Sequence, residues 1–545
     1  MSVCFQPDLI IEKPASAAKK RIIICCDGTG NSFVAPNYDA KAKGSGENSN
    51  VVKFYTALEI GATQSGVEQI AYYHPGVGTM GSPLAHNWLQ EQWSIICGLA
   101  FGRGFRDNVL DAYRYLMENY NDNGGHGNQD EIYIVGFSRG AYTARALAGL
   151  LHGYGLLCRG NEGHLLYAWR MYVDQHKKRG LREIVPNDTF RMTFSHKDFN
   201  IRFLGVWDTV SSVGWIYTPL RLFNIAKNDT VQVARHAVSI DERRCFYTDN
   251  LWGEPAPQTN LVQAWFAGAH SDVGGSYKQD ESGLSDITLK WMLDEARNAG
   301  NLYRKPGAAV PPDQDRDPDL LQFNDDRLKL VLGKEVPSSP YAELLYRKPK
   351  CEKLHNELKG LWLILEYLPH IYYDKDLGEY HGHVTHQASD DSAEVRRIPR
   401  GAYRQIPDGA LIHGSVVVRQ QTAAENLYPR SKYDPPNLRK GKLEVTGTAD
   451  LAGIPYYVFR EPLESREANR KKPNPLKLFF QSGIVMLPLA TVELIVLLSI
   501  ILVPVGVIGF LILHFLLAGF WCILRHVHFL VVFGHWLVKY PAAWK

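Results

Sequence analysis

The sequence predicts an α/β fold: a mainly parallel sheet with helices on both faces, a cap or insertion region, and a C-terminal hydrophobic helical hairpin. Three observations carry this reading. Short apolar runs alternate with helical stretches through the first two thirds of the chain, the pattern of parallel strands joined by crossover helices. A Gly-x-Ser-x-Gly turn joins one such run to a helix-forming stretch. A long apolar segment then dominates the last hundred residues.

Residues 21–26, 69–73, 132–135, 201–207 and 261–267 are the candidate strands, rich in Ile, Val, Phe, Tyr and Trp. All but the second end in polar, glycine-bearing loops, which in an open α/β sheet form the ligand-binding edge. Helices are expected at 104–120 and 284–299. In the latter, Leu289, Met292, Leu293 and Ala296 form an apolar stripe opposite Lys290, Asp294 and Glu295, the pattern of a helix packed on a core. The Pro- and Asp-rich stretch 306–319 reads as an exposed loop. From Leu320 to Glu464 the periodicity weakens, as in an insertion or cap. The expected organisation is an N-terminal extension (1–20), a core (21–305), a cap ending the catalytic domain (306–465) and a membrane-associated region (466–545).

Composition narrows the function. A net charge of +3 over 545 residues gives no global field for nucleic acid. Eight cysteines are too few for a disulfide framework in so long a chain. No Cys/His cluster has zinc spacing, and the pair Cys25-Cys26 lies in an apolar run that reads as packing.

Met1 to Lys20 lack the basic-then-apolar order of a Sec signal. From Gly483 to Leu524, Glu493 is the one acidic residue and His514 the one histidine. That length is about twice the ~20 residues that cross a bilayer as a helix. Pro504-Val505-Gly506 divides it into 484–503 and 505–524, read as a helical hairpin. Arg466, Arg470, Lys471, Lys472 and Lys477 precede it, and Arg525, Lys539 and Lys545 follow, so both ends fit one side of a membrane. Residues 526–540 read as an interfacial segment.

Gly136-Phe137-Ser138-Arg139-Gly140 spell a nucleophile elbow, with a strand-like run at 131–135 before it and helix formers at 141–151 after it. A serine nucleophile needs a base, a carboxylate to orient that base, and N–H donors for the oxyanion. The Arg139 amide supplies one donor by elbow geometry. The loop Cys26-Asp27-Gly28-Thr29-Gly30-Asn31 offers Gly28 and Thr29 as sources of a second, and no Gly-Lys-Ser/Thr follows to make it an NTPase phosphate loop.

In the chain order Ser, acid, His, the expected base is His413, downstream of both acids. Asp272 is the favoured acid because it follows the later strand, with Asp208 as the alternative. His270 precedes Asp272 and is read, with Asp27, as a pocket residue. A competing reading joins Asp27, Asp208, His270 and Asp272 as ligands of a divalent metal in a phosphatase.

Four segments stand out together: Arg21-Ile-Ile-Ile-Cys-Cys-Asp-Gly-Thr-Gly-Asn31, Gly136-Phe-Ser-Arg-Gly-Ala-Tyr-Thr-Ala-Arg145, Phe203-Leu-Gly-Val-Trp-Asp-Thr-Val210 and Trp265-Phe-Ala-Gly-Ala-His-Ser-Asp-Val-Gly-Gly275. They resemble an α/β-hydrolase family whose best-understood members are the family 1 lipase effectors of bacterial type VI secretion systems. Arg235-His236-Ala237, Asp241-Glu242-Arg243-Arg244 and Ile412-His413-Gly414-Ser415-Val416 extend the match. The resemblance implies a cofactor-free phospholipase cutting an acyl ester of a glycerophospholipid, with Ser138 as nucleophile, an Asp as orienter and His413 as base. It implies a phospholipid membrane as partner, along with a secretion-spike or chaperone protein and an immunity protein. It also implies delivery by a type VI system into a target-cell periplasm. The hydrophobic hairpin is not diagnostic of the family, which leaves an injected toxin and a resident membrane esterase both open. A pore-forming or lipid-binding protein with an inactive hydrolase domain is the alternative of another class.

Overall fold

A computed structural model describes residues 19–28, 48–63, 65–76, 102–124, 128–179, 185–210, 228–244, 249–253, 255–302, 320–332, 354–359, 403–422 and 433–462. Short pieces at 214–215, 218–219, 247, 362–363, 372–374, 379–381 and 401 are also described. The expected hairpin at 484–503 and 505–524, the interfacial segment, the loop 306–319 and Thr29 lie outside the described residues.

One compact unit comprises residues 1–359 and 401–463. Its strands in chain order are β1 (Lys20–Cys26), β2 (Gly61–Ala62), β3 (Glu68–His74), β4 (Glu131–Phe137), β5 (Ile201–Trp207), the short pair β6 (Gly214–Trp215) and β7 (Thr218–Pro219), β8 (Val231–Ser239) and β9 (Asn260–Phe266). The other unit, residues 360–400 and 464–545, contains an antiparallel pair, β10 (Tyr372–Asp374) and β11 (Glu379–His381). The first unit then adds β12 (Leu411–His413), β13 (Lys442–Ala449) and β14 (Pro455–Arg460). Its ten-stranded sheet has the order β13-β14-β12-β9-β8-β5-β4-β1-β3-β2. Strands β12, β9, β8, β5, β4, β1 and β3 run parallel, and antiparallel strands close both edges.

Alternation along the strands builds two cores. Ile23, Cys25, Tyr133, Val135, Phe203 and Trp207 face one layer, whereas Ile22, Ile24, Ile132, Ile134, Ile201 and Leu204 face the other. A strand buried on both faces is near-continuously apolar, and β4 is buried from end to end, its one charged residue, Glu131, paired with Lys19, Arg21 and Arg202. Burial also pushes the Cys26 thiol up to about 12, so this cysteine fills space. On the first face lie α1 (Asn50–Ala57), α7 (Gly283–Arg297) and α8 (Asp325–Leu332). On the second lie α2 (Gly102–Asn119), α3 (Arg139–Tyr154), α4 (Leu165–Arg179) and α5 (Asp188–Phe194). The five-residue α6 (His270–Gly274) follows β9, and α9 (Gly414–Thr422) follows β12.

The stretch after Leu320, expected as an insertion, instead supplies β12, β13 and β14 to one side of the same sheet. Strands β3 and β4 lie on opposite sides of β1, and in α/β sheets such a reversal of strand order marks the carboxyl edge at which ligands bind.

Candidate active site

The register of the parallel strands brings the site together before any side chain is considered. Phe137 at the end of β4 pairs with Trp207 at the end of β5, and Trp207 pairs with Ala237 of β8. Ser138 and Asp208, each one residue further, therefore emerge side by side. Their amides continue the ladder, Ser138 N–H to the Trp207 carbonyl at 3.1 Å and Asp208 N–H to the Ala237 carbonyl at 2.7 Å.

Both residues leave the sheet through the left-handed half of conformational space, Ser138 at φ 58° and Asp208 at φ 39°. Such backbone is costly for a residue with a β-carbon and is held only where neighbours enforce it. The elbow glycines show that enforcement. A β-carbon on Gly136 would lie 2.5 Å from the Gly140 carbonyl oxygen, and one on Gly140 would lie 2.2 Å from the Cys26 carbonyl oxygen. Close approach of backbone to backbone, between α3, β4 and the end of β1, requires both glycines.

A chain of hydrogen bonds runs from the serine. The Ser138 hydroxyl lies 2.7 Å from His270 Nε2, and His270 Nδ1 lies 2.5 Å from Asp208 Oδ2. All three side chains are buried. Asp208 also accepts from the Ser239 amide at 2.9 Å and from the Arg404 guanidinium, at 2.5 Å on Oδ1 and 3.1 Å on Oδ2. Burial favours the neutral acid, but the Arg404 charge and the His270 hydrogen bond outweigh it and hold the Asp208 carboxyl well below the usual range. The carboxylate is therefore ionised opposite the imidazole.

His270 reaches the serine because the turn after β9 folds back over the sheet edge. Asp241 N–H donates to the Gly268 carbonyl and Gly268 N–H donates to Asp241 Oδ2, while His270 N–H donates to Glu242 at 3.3 Å. Gly268 takes φ +122°, and a β-carbon there would meet that of Asp272 at 2.4 Å. The imidazole packs on Phe137, with centroids 4.7 Å apart, and meets the Tyr247 ring edge-on at 4.8 Å. On the Asp208 side, the Thr209 amide donates to His236 Nε2. Burial drives the His236 pKa down to about 3, so this ring is a neutral acceptor.

The structure corrects two expectations. His413, expected as the base, belongs to β12, four positions across the sheet from β4. At about 4.8 Å per strand, that separates it from the elbow by on the order of 19 Å. Its ring is fully buried, hydrogen-bonded to Ser415 Oγ and Asp450 and stacked on Phe266. Asp272, the favoured acid, bonds His355 Nδ1 at 2.6 Å and the His355 and Ala269 amides. It lies in α6, on the helix that carries His270, and orders that helix rather than the imidazole. His270, read as a pocket residue, and Asp208, the alternative acid, are the pair beside Ser138.

The loop after β1 differs as well. Asp27 accepts from Ser49 Oγ, the Tyr73 hydroxyl and its own neighbour's amide, Gly28 N–H, at 2.7 Å. The Gly28 amide, expected to face an oxyanion, is thus engaged by Asp27. Arg139 begins α3 directly after the serine, and burial lowers its guanidinium to about 10. The residues weighed as metal ligands are dispersed between Asp27, the Asp208–His270 pair and the Asp272–His355 pair. No group of three or more His, Cys, Asp or Glu among the described residues could hold a metal ion.

Arg404 escaped sequence reasoning, because nothing in Tyr403-Arg404-Gln405-Ile406 announces a partner 196 residues earlier. Glu242 and Asp241 were visible only as part of a charged motif.

A model of the catalytic domain of the Tle1-like phospholipase effectors of type VI secretion systems matches residues 20–295. The uncharacterized protein YEL023C of Saccharomyces cerevisiae is 33% identical over 424 residues, covering 54% of this chain and 59% of that protein. The chain thus spans about three fifths of that relative's length. Among solved structures, an uncharacterized protein from Pseudomonas aeruginosa shares 20% identity at a TM-score of 0.30, over 61% of this chain and 53% of that one. The Tle1 effector bound to the VgrG spike shares 20% identity at a TM-score of 0.27, over 50% of this chain and 54% of that one. The family match covers half of the chain and contains the elbow, Asp208 and His270, and through it the chain belongs to the family of Tle1-like type VI secretion phospholipase effectors.

Proposed function

We propose that the protein is a serine phospholipase that cuts an acyl ester of membrane glycerophospholipids, with Ser138, His270 and Asp208 as its triad. The observation that carries this is the hydrogen-bond chain from Ser138 Oγ through His270 to Asp208, at 2.7 and 2.5 Å, on a strained elbow. His270 Nε2 takes the hydroxyl proton as Oγ bonds to the ester carbonyl carbon, and Asp208 stabilises the imidazolium. The Arg139 amide, at the start of α3, faces the developing oxyanion as one donor. Collapse breaks the ester bond, and the proton on His270 passes to the departing lysolipid oxygen. Water, activated by the same imidazole, then releases the fatty acid and restores Ser138.

The apolar sequence 483–524 supports a bilayer as substrate, since an enzyme tethered to a membrane works at high effective concentration of lipid. The family description supports delivery by a type VI system; on this reading the enzyme acts as an antibacterial toxin, with spike, chaperone and immunity proteins as partners. The yeast relative favours a second reading for location, a resident membrane esterase, because type VI systems are bacterial machines.

Lipid mass spectrometry on phospholipid vesicles treated with the wild type and with Ser138→Ala tests the chemistry. Free fatty acid and the matching lysolipid are expected from the wild type alone. Equal release by Ser138→Ala would sink the mechanism. Retention of the protein in its producer's membranes separates the resident esterase from the exported effector.

A further inference from the structure

We propose that Arg404 is a positioning residue of the active site, which fixes the Asp208 carboxylate against His270 and completes a triad whose three members lie elsewhere in the chain. The inference rests on the serine-esterase reading and deepens it. Arg404 lies outside the residues of the family match, 20–295, yet within the same compact unit as the sheet. Its guanidinium grips both oxygens of Asp208, at 2.5 and 3.1 Å, and also donates to Ser239 Oγ at 2.7 Å and to the Tyr247 carbonyl. Asn437 holds the Arg404 carbonyl at 3.0 Å and the Ile240 carbonyl at 2.9 Å, locking this strand of chain to the end of β8.

The geometry divides the labour on Asp208. Oδ2 receives His270, the Ser239 amide holds Oδ1, and the arginine fork spans both oxygens and so fixes the plane of the carboxylate. A planar fork sets both the position and the rotation of a carboxylate, which a point charge does not. Asp208 leaves β5 with φ 39°, so its side chain is not presented by regular strand geometry and needs such an external brace. Tyr247, whose carbonyl accepts from Arg404, packs its ring on His270 at 4.8 Å. The one arginine thereby touches the supports of both the acid and the base.

The test is the rate at which a fluorophosphonate labels Ser138. The step forms an Oγ–P bond, expels fluoride and passes the hydroxyl proton to His270, so it reads nucleophile activation without any lipid. Wild type, Arg404→Ala and Arg404→Lys are compared, with Arg404→Ala also measured in millimolar methylguanidine. Labelling is expected to slow about 10- to 100-fold in Arg404→Ala, as for loss of hydrogen bonds to a charged group. Arg404→Lys should fall between, and methylguanidine should restore part of the rate in the alanine variant. Arg404→Ala labelling within about twofold of wild type would overturn the proposal. So would a loss that neither lysine nor methylguanidine recovers, which marks a purely structural role. If wild type is not labelled at Ser138, the esterase reading itself fails, an outcome distinct from both.

Discussion

Gly274 closes α6 directly against the Phe137 ring, so tightly that a β-carbon on it would lie 1.8 Å from a ring carbon. Phe137 also packs against the His270 imidazole, tilted by 32° with ring centroids 4.7 Å apart. One aromatic side chain at the end of β4 thus fits both ends of the short helix that carries the histidine, and it immediately precedes the nucleophile. The distance between Ser138 and His270 is set by packing as much as by their hydrogen bond.

Gly274→Ala should therefore harm both stability and turnover. Phe137 is 3% exposed and has little room to swing away, so overpacking is expected to cost about 1–3 kcal/mol. Urea unfolding and ester hydrolysis measured on the same preparation check this. An alanine variant equal to wild type in both would show that the ring yields freely.

The two candidate acids separate cleanly by substitution. Asp208→Asn is expected to lower kcat by about 10⁴-fold, as loss of the orienting carboxylate does in other triads. Asp272→Asn disturbs the His355 contact and should cost about 1–3 kcal/mol in stability while kcat stays within about tenfold. Rates are to be compared on protein whose circular dichroism matches wild type. The reverse ranking of the two variants would return the acid's role to Asp272.

A parallel contrast applies to the histidines. His270→Ala should abolish fluorophosphonate labelling with only a modest change in melting. His413→Ala opens a fully buried network with Ser415 and Asp450, and should lose about 1–3 kcal/mol while Ser138 remains reactive. Loss of labelling in a folded His413→Ala protein would contradict the assignment.

Asp241 gives a pH dependence of stability. Burial raises its pKa to about 6, against the opposing hydrogen bonds from Tyr433 and the Gly268 amide. In the unfolded chain the carboxyl titrates near about 3.9. Between these values the native state holds a proton that the unfolded state has released, so this residue's contribution to stability falls as pH rises from about 4 through about 6. Above that it is level. Asp241→Asn cannot titrate, so its stability relative to wild type should rise by about 2–3 kcal/mol between pH 4 and pH 7. A difference that stays flat across that range would exclude Asp241 as the source.

Much of the fold was legible because the strands are buried on both faces. The runs at 21–26, 132–135 and 201–207 fall within β1, β4 and β5, since continuous β-branched and aromatic stretches have few other stable uses. Strand β8 was harder to see. Arg235 and His236 sit in its middle, and Glu295, Asn260, Gln263 and Thr209, distant in sequence, make their burial tolerable. Strand β13 buries none of its residues and β14 only Tyr456 and Phe459, so at the sheet's edge the period-two signal is weak.

The sequence by itself determined the strand–elbow–helix unit, its serine and the carboxyl-edge loops, because local sterics and period-two burial are written in neighbouring residues. Which histidine and which aspartate meet that serine was decided by tertiary structure. Parallel register sets Asp208 beside Ser138, and the turn held by Asp241 and Glu242 folds His270 back over the edge. His413 follows the expected chain order yet lies in a strand too far across the sheet. Arg404 joins Asp208 through a contact spanning 196 residues, and only the folded chain brings those two charges within hydrogen-bonding distance.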